Sequence, residues 1–361
     1  MSFMQSLFGG GSRELIGLDI SSSAVKLLEL GKRGDRYSVE AYAVEPLPPN
    51  VVNDKQLTDP KVVGEAIARA VGRAGTGTRN AAVAVAGSSV ITKLITMPAA
   101  LSDNDMEEQI KAEADQYIPY PIEEVNMDFQ VVGPSGKDAG TVDVVLAACR
   151  KEQVEQRMAA LEIAGLKPTV VDIEVYALEN ACQFLRHQMP DDGKGKTVAV
   201  VDMGASVTSL LVLHDQQTVY TRDQAFGGKQ LTEDIMRLYG MSFDEAAKAK
   251  RSGSLPANYQ SEVLDHFLAD MAQQIDRSLQ FFFSASSRHS TVDQVILAGG
   301  CAQIAGVEQV IQERLRIPVA VAHPFAQMAV ASRAKPAQLA QDEASLLMAA
   351  GLAMRGFDQV D

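Results

Sequence analysis

The sequence predicts an α/β protein built from two related lobes that face one cleft, and two observations carry this. The first is the apolar run Ile16 to Leu30, IGLDISSSAVKLLEL, which breaks at Asp19 into small hydroxyl residues and then resumes, the pattern of two strands joined by a tight turn. The second is its echo at Val198, VAVVDMGASVTSLLVL. Aligning Asp19 with Asp202 pairs Ser23 with Ser206, Leu27 with Leu210, Leu28 with Leu211 and Leu30 with Leu213. Each copy continues through a polar turn into a further strand, RYSVEAYAV after the first and QTVYTRDQAF after the second. An internal repeat describes a whole architecture, here two β-meanders, each led by an acid and a turn of small residues.

The chain has 361 residues, 46% hydrophobic and 22% charged, ordinary for a globular protein and long for one compact domain. A net charge of −13 with scattered basic residues excludes a nucleic-acid groove, which needs a cationic stripe. Cys149, Cys182 and Cys301 lie far apart, and no C-x-x-C or histidine pairing offers metal-ligand spacing. Reduced thiols in a cytosol are expected. No apolar run approaches the roughly 20 residues of a bilayer span, and no signal peptide precedes the first strand. The expectation is a cytoplasmic protein that meets a membrane only through partners.

Along the chain, MSFMQSLFGGG sets Phe3, Met4, Leu7 and Phe8 at helical spacing before three glycines, a short apolar face for a membrane surface or a partner groove. Pro46, Pro48 and Pro49 interrupt regular structure after the first meander. Asp59 as N-cap and Pro60 in the first turn start a helix through VVGEAIARAVGRAG, and AAVAVAG follows as a buried strand. From about Val90 to Pro168 the character changes to a smaller α+β unit, an insertion and not a third copy of the repeat. It opens with the strand VITKLITMP and a helix capped by Ser102 with Asp105, carrying Met106, Ile110 and Tyr117. Pro119 and Pro121 force an extended path, VNMDFQVV and TVDVVLAACR pair as strands, and the helix KEQVEQRMAALEIAG ends at Gly165. Thr169 to Ile173 returns to a buried strand, with a helix from Val175 to about His187 and a solvated hinge at PDDGKGK. A long helix from Ser261 to Ser287 buries Phe281 and Phe282, and the small apolar DEASLLMAAGLAMRG packs inside a lobe. The expected division is a flexible N-terminal segment (1–12), a first lobe (13–89 and 169–189) interrupted by the insertion (90–168), and a hinge (190–196). A second lobe follows (197–335, with a smaller part near 229–290), then a C-terminal helix (336–361) returning to the first lobe.

A strand that ends in an acid and then exposes backbone amides can surround an anion, and the acid can hold its metal. That describes Asp19 with Ser21, Ser22 and Ser23, and Asp202 with Gly204, Ala205 and Ser206. Gly227 and Gly228 precede a helix and expose amides at its N-terminus. Glu245 and Lys248, three residues apart in FDEAAKAKRSG, lie close in space. Gly299 and Gly300 in VILAGGCAQIAG let a flat ring or a phosphate approach the backbone. Two other phosphate patterns fail. Gly195-Lys196-Thr197 ends like a P-loop, but Pro190 stands where the first glycine belongs and a strand follows in place of a helix; GRAGTG at Gly72 lacks the dinucleotide spacing.

Taken in order, acid turn, insertion, acid turn, GG with an E-x-x-K helix, then AGG, these pieces resemble the actin, Hsp70 and sugar-kinase superfamily over essentially the whole chain. DISSSAVK at Asp19 to Lys26 is similar to its first phosphate loop, DMGAS at Asp202 to Ser206 to its second, and AGGCAQIAG to its adenosine motif. The fold implied is α/β, actin-like (ribonuclease H-like), duplicated into two lobes with an inserted 1C α+β subdomain of the FtsA type. IGLDISSSAVKLLEL, QYIPYPIEEVNMDFQV, DIEVYALENA and SLLMAAGLAMR most resemble the PilM family of cytoplasmic type IV pilus assembly proteins. That resemblance implies ATP with Mg²⁺ as ligand. It also implies a partner, the N-terminal cytoplasmic peptide of the inner-membrane protein PilN, held in a groove between subdomains 1A and 1C. By motif position, the amides of Ser21, Ser22 and Ser23 and the Lys26 ammonium would contact phosphates, with Gly204, Ala205 and Ser206 on their other side. Asp19 and Asp202 would hold Mg²⁺ through its waters, and Gly228, Glu245, Lys248, Gly299 and Gly300 would frame ribose and adenine. Asp172 or Glu174, at the start of the DIEVYAL helix, falls where relatives keep a water-orienting residue; each is a candidate base, though a carboxylate there is also an ordinary helix cap.

The chain departs from the family at Ser21, usually glycine, and at Ala205 and Ser206, where relatives that hydrolyse ATP readily carry a glycine-rich or acidic loop. A Cβ restricts φ and holds the backbone off a terminal phosphate, so the expectation is nucleotide binding with slow or absent turnover. Two readings from other classes stand beside it. A small-molecule kinase on the same fold needs a dedicated acid–base facing a sugar pocket, and a self-polymerising, FtsA-like membrane-associated protein is disfavoured by the acidic end MRGFDQVD. Homo-oligomerisation of a scaffold is compatible with the sequence.

Overall fold

The structure, a computed structural model, describes residues 14–358 except 137 and 287; the apolar face at Phe3 to Phe8 lies outside the described residues. β1 (Ile16–Ile20), β2 (Ala24–Arg33) and β3 (Arg36–Pro46) form the first meander, with Asp19 opposite Lys26. A short ribbon of β4 (Val52–Asn53) and β5 (Gln56–Leu57) leads to α1 (Pro60–Ala74). The start of α1 follows from its residue types: Asp59 accepts hydrogen bonds from the amides of Lys61 and Val62, and Pro60, which has no amide to satisfy, fills the first turn. β6 (Asn80–Val85) then lies parallel to β1.

The insertion comprises β7 (Val90–Pro98), α2 (Asp103–Ala112), β8 (Val125–Pro134) and β9 (Thr141–Arg150), with β9 central and antiparallel to both neighbours. Met106 and Ile110 of α2 pack with Met97, Val144 and Leu146 in a core of their own. α3 (Lys151–Ile163) behaves differently from its place in the sequence. Val154, Ala160 and Leu161 pack into the first lobe with Val63 and Ile67 of α1, so this helix covers the first lobe's sheet. β10 (Lys167–Ile173) pairs parallel with β6, and α4 (Glu174–Ala181) tightens into 3₁₀ turns over Cys182–Gln188 where a longer helix was expected.

The second meander is β11 (Thr197–Met203), β12 (Thr208–His214) and β13 (Gln217–Gln224). α5 (Gly228–Tyr239), α6 (Phe243–Ser252) and α7 (Asp265–Ala285) follow, then β14 (Gln294–Ala298), α8 (Val307–Leu315) and β15 (Val319–Val321). The chain closes with β16 (Ala329–Val330), α9 (Pro336–Asp342) and α10 (Leu347–Met354). Phe282 of α7 is buried as expected, whereas Phe281 is 39% exposed with the Arg222 guanidinium 3.9 Å from its ring centre.

Both lobes are built on one plan. Their sheets run β3-β2-β1-β6-β10 and β13-β12-β11-β14-β15, each an antiparallel meander extended by two parallel strands, with β16 added at the edge of the first. This is the duplicated actin-like fold. α10 is buried along its whole length and crosses back to the first lobe, so close to α4 that a Cβ at Gly351 would lie 1.7 Å from the Ala177 carbonyl. Ala177, Leu178, Leu347 and Leu352 share one apolar cluster with the second lobe's sheet, which packs the lobes together beside the cleft.

Candidate functional site

The repeat closes both acid turns in the same way. In the first, the Ser21 amide donates to the Ala24 carbonyl at 3.0 Å; in the second, the Gly204 amide donates to the Val207 carbonyl at 3.0 Å. Both donors stand two residues after the acid that ends the strand. Ser21 also turns its hydroxyl onto the Ala24 carbonyl, 2.9 Å away. The Ser21 amide is therefore spent inside its own turn and is not the phosphate donor the sequence suggested. Among the described residues, the amides of Ser22, Ser23, Ala205 and Ser206 are left as the donors of the two loops. The loops meet, with Ser22 Oγ 2.9 Å from Ser206 Oγ.

Behind them lies a compact set of charges. The β1–β2 register places Lys26 Nζ 2.8 Å from Asp19 Oδ2. Burial pushes the Lys26 ammonium down, but Asp19 and Asp202 outweigh it and its pKa rises overall. The Asp202 carboxyl is pushed up to about 6 by burial and by the neighbouring Asp19, against the pull of Lys26. Gly299, at φ 84, lies against Asp202: a Cβ there would sit 2.4 Å from Asp202 Oδ1 and 2.4 Å from the Met203 carbonyl. Gly300, by contrast, faces open space, so the glycine pair splits its work between tight packing and an accessible wall.

The second lobe corrects two expectations. The first amides of α5 are not exposed: Gly228 N–H donates to the Gly204 carbonyl at 3.1 Å and Lys229 N–H to the Ala205 carbonyl at 2.8 Å, which fixes the second turn onto the helix. In α6, Glu245 forms a capping box with Ser242 at the surface, and Lys248 is exposed, with no ion pair between them. The lysine of this helix that turns inward is Lys250, whose Nζ donates to the Gly228 carbonyl at 3.0 Å and to Thr232 Oγ1 at 2.7 Å. Cys301 Sγ donates to the Gly204 carbonyl at 3.3 Å, and burial pushes its thiol up to about 11, which makes it a packing group and not a nucleophile.

The two candidate bases part company. Asp172 is fully buried, accepts the Ile173 amide at 2.8 Å and pairs with Arg355 Nε at 3.1 Å, so it anchors the chain's end to β10 and does not face the cleft. Glu174 does. Its carboxyl is raised by burial, with Lys55, Asp19 and Asp223 all within electrostatic reach, and its Oε2 lies 2.7 Å from Lys55 Nζ.

A sequence model of the family described as type IV pilus assembly protein PilM matches residues 17–357. The chain belongs to the PilM family. Among solved structures it is similar to a PilM–PilN type IV pilus biogenesis complex, at 28% identity and a TM-score of 0.78, covering 96% of this chain and 100% of that one. It is also similar to the ethanolamine utilization protein EutJ from Carboxydothermus hydrogenoformans, at 16% identity and a TM-score of 0.55, covering 94% and 88%. The second likeness bears on the fold alone. No helix among the described residues is long and apolar enough to cross a membrane.

Within this PilM-family frame, the paired turns and the open wall at Gly300 fit a polyphosphate with an attached flat ring. Asp202, without a salt bridge among the described residues, and Asp19, shared with Lys26, are the carboxylates that would hold a magnesium ion through its waters. Sequence reasoning missed three side chains at this end of the cleft, Lys55, Asp223 and Arg157. Lys55 Nζ bridges Glu174 and Asp223, at 2.7 and 2.8 Å, and buried Arg157 donates to the Lys55 carbonyl at 2.9 Å. Only the VVNDKQL ribbon marks Lys55, and a polar two-residue turn is too common to single out.

Proposed function

We propose that this chain is a nucleotide-holding scaffold of the type IV pilus machinery, working at the cytoplasmic side of the inner membrane through its partners. It grips the N-terminal cytoplasmic peptide of a PilN-type protein between the first lobe and the inserted sheet. The observation that carries the nucleotide half is the matched pair of turns, facing each other from two lobes of one plan with their spare amides on Ser22, Ser23, Ala205 and Ser206. Lys26 and those amides would hold the phosphates of ATP; Asp19 and Asp202 would hold Mg²⁺ through water. Gly228 and Gly300 would border ribose and adenine, with Lys250 lying closer to that wall than Glu245 or Lys248. Bound there, ATP with Mg²⁺ would supply phosphate oxygens for the amides of both loops and a cation for the two acids.

Glu174 supports holding over turnover. A general base must reach the proton it takes, and this carboxylate is committed to the Lys55 ammonium. Ser21 no longer supports it, because its backbone closes the same turn as Gly204 without a left-handed φ.

The peptide half is supported by the inserted sheet. Cross-strand partners share a face, which puts Thr92 and Leu94 of β7 on one face with Val145 and Ala147 of β9 and Asp128 and Gln130 of β8. The inner end of that face, with Ala147 and Cys149, joins the core of the first lobe near Tyr176. Its outer end is open, Leu94 being 64% exposed. A half-covered sheet face beside a second domain suits an extended peptide. Calorimetric titration of the full chain with the PilN N-terminal peptide, with and without ATP and Mg²⁺, tests the reading. Undetectable peptide binding under ATP and Mg²⁺ would sink it.

A further inference from the structure

We propose that Lys55 ties the two lobes across the phosphate end of the cleft and so retains a bound nucleotide. The retention rests on the nucleotide-binding reading above, whereas the tie is a property of the protein alone. Lys55 belongs to the first lobe, in the turn between β4 and β5. Its ammonium pairs with Glu174 at the start of α4 in the same lobe and with Asp223 on β13 of the other, and only 18% of its side chain is exposed. Asp223 is held in place by Ser209, whose hydroxyl donates to its other carboxylate oxygen at 2.7 Å. The repeat shows how specific this is. Lys26 faces Val44 across β2 and β3, and at the corresponding place Ser209 faces Asp223 across β12 and β13. The second lobe thus carries an acid where the first has an apolar residue, and it is the acid that Lys55 reaches.

The turn is built to aim that ammonium. Asp54 and Lys55 both take left-handed φ values, 47° and 63°, the geometry of a tight two-residue hairpin turn between β4 and β5. Arg157 holds this turn against the first lobe. It is 2% exposed and forms no salt bridge among the described residues. It spends its donors on carbonyls instead: Nη2 on Lys55 at 2.9 Å, Nε on Ala84 at 2.6 Å and Nη1 on Gln153 at 2.8 Å. A buried guanidinium without a carboxylate is costly, and here it fixes the backbone from which Lys55 crosses the cleft. Opening the cleft must part Lys55 from Asp223, the more exposed of its two arms.

The test uses the full chain with spin labels on Glu65→Cys of α1 and Glu308→Cys of α8, both exposed; the native Cys149, Cys182 and Cys301 are buried. Without nucleotide, Lys55→Met and Asp223→Asn should each lengthen and broaden the interlobe distance, Lys55→Arg should restore it in part, and the double variant should do no more than either single change. Circular dichroism and thermal melting confirm that each variant is folded. An unchanged distance in both single variants, or additive effects in the double, overturns the tie. After loading with a fluorescent ATP analogue, the same variants should release it about 10-fold faster, the effect of losing one ion pair of moderate strength. Unchanged release from a cleft shown to open overturns the retention. If the wild-type protein takes up no analogue, the nucleotide reading fails and the retention with it, while the distance measurement still decides the tie.

Discussion

Ser22 and Ser206, 184 positions apart in sequence, bring their hydroxyl oxygens to 2.9 Å. The contact joins two turns of identical closure from two lobes of identical plan, so whatever lies between those turns is held from both sides. A carboxylate introduced there meets the same amides that would hold phosphate and occupies their site. Ser22→Asp should therefore lower affinity for ATP with Mg²⁺ by about 100-fold, through like-charge repulsion and loss of space. Calorimetric titration reads the affinity, and an unchanged melting temperature shows the turn itself is intact.

Asp202 gives the site a pH dependence with opposite signs in its two states. Burial raises its folded-state carboxyl to about 6 from an ordinary carboxylate value. A raised acid destabilises the fold while it is ionised. This part of the apo protein's stability is therefore lost as pH rises from about 4 through 6 and regained as pH falls back. Asp202→Asn should raise the apo melting temperature at pH 7.5 by about 2 °C and flatten its change between pH 5 and 7. Magnesium-dependent nucleotide binding should run the other way in wild type, weakening below pH 6 as the carboxylate takes a proton. Differential scanning fluorimetry across pH, with and without ATP and Mg²⁺, checks both signs.

Asp172 and Arg355 separate a structural acid from a functional one. Their side chains are 0% and 3% exposed, and removing one partner leaves a buried charge uncompensated. Arg355→Met should cost about 3–5 kcal/mol of unfolding free energy, while the double change Asp172→Leu with Arg355→Met recovers most of it. Glu174→Gln, by contrast, should leave stability within about 1 kcal/mol, because Lys55 keeps Asp223 as a partner and burial works against the Glu174 charge. Urea unfolding curves measure all three.

The lobes were legible because duplication leaves a pattern in sequence: two acids, two small-residue turns and leucines at matched spacing reappear as two sheets of one strand order. Capping chemistry was equally plain at Asp59 and Ser102, where a side chain acts on its own neighbours. What stayed hidden depended on long-range pairing. Lys55, Glu174 and Asp223 come from three distant segments, and nothing local sets Asp172 apart from Glu174 two residues on, although β10 buries one and the helix start turns the other to the cleft. The same limit hid the inward lysine of α6: Glu245-x-x-Lys248 fits helical spacing, but the side chain facing Gly228 is Lys250. Ser21 shows a further limit, since a Cβ that looked restrictive in sequence sits in a turn with ordinary φ. Ser21→Gly should accordingly leave phosphate release from ATP within about 2-fold of wild type; a rise of 100-fold in a steady-state assay would return Ser21 to a governing role.

The inserted sheet supplies the last prediction. Leu94 stands 64% exposed in register with Val145 and Gln130, on the face whose inner end packs into the first lobe. A solvent-facing leucine on the edge strand β7 offers apolar area beside unpaired backbone groups, which suits a position that an extended partner chain covers. Leu94→Asp removes that apolar area and places a charge where an extended chain would lie, so affinity for the PilN N-terminal peptide should fall by at least about 50-fold. The substitution lies on a different face from the α2 core of Met97, Val144 and Leu146, so the melting temperature should hold and nucleotide affinity should be unchanged. Fluorescence anisotropy with labelled peptide, run beside a nucleotide titration of the same preparation, separates the outcomes: loss of both ligands would indicate misfolding, and retention of full peptide affinity would move the peptide to another surface.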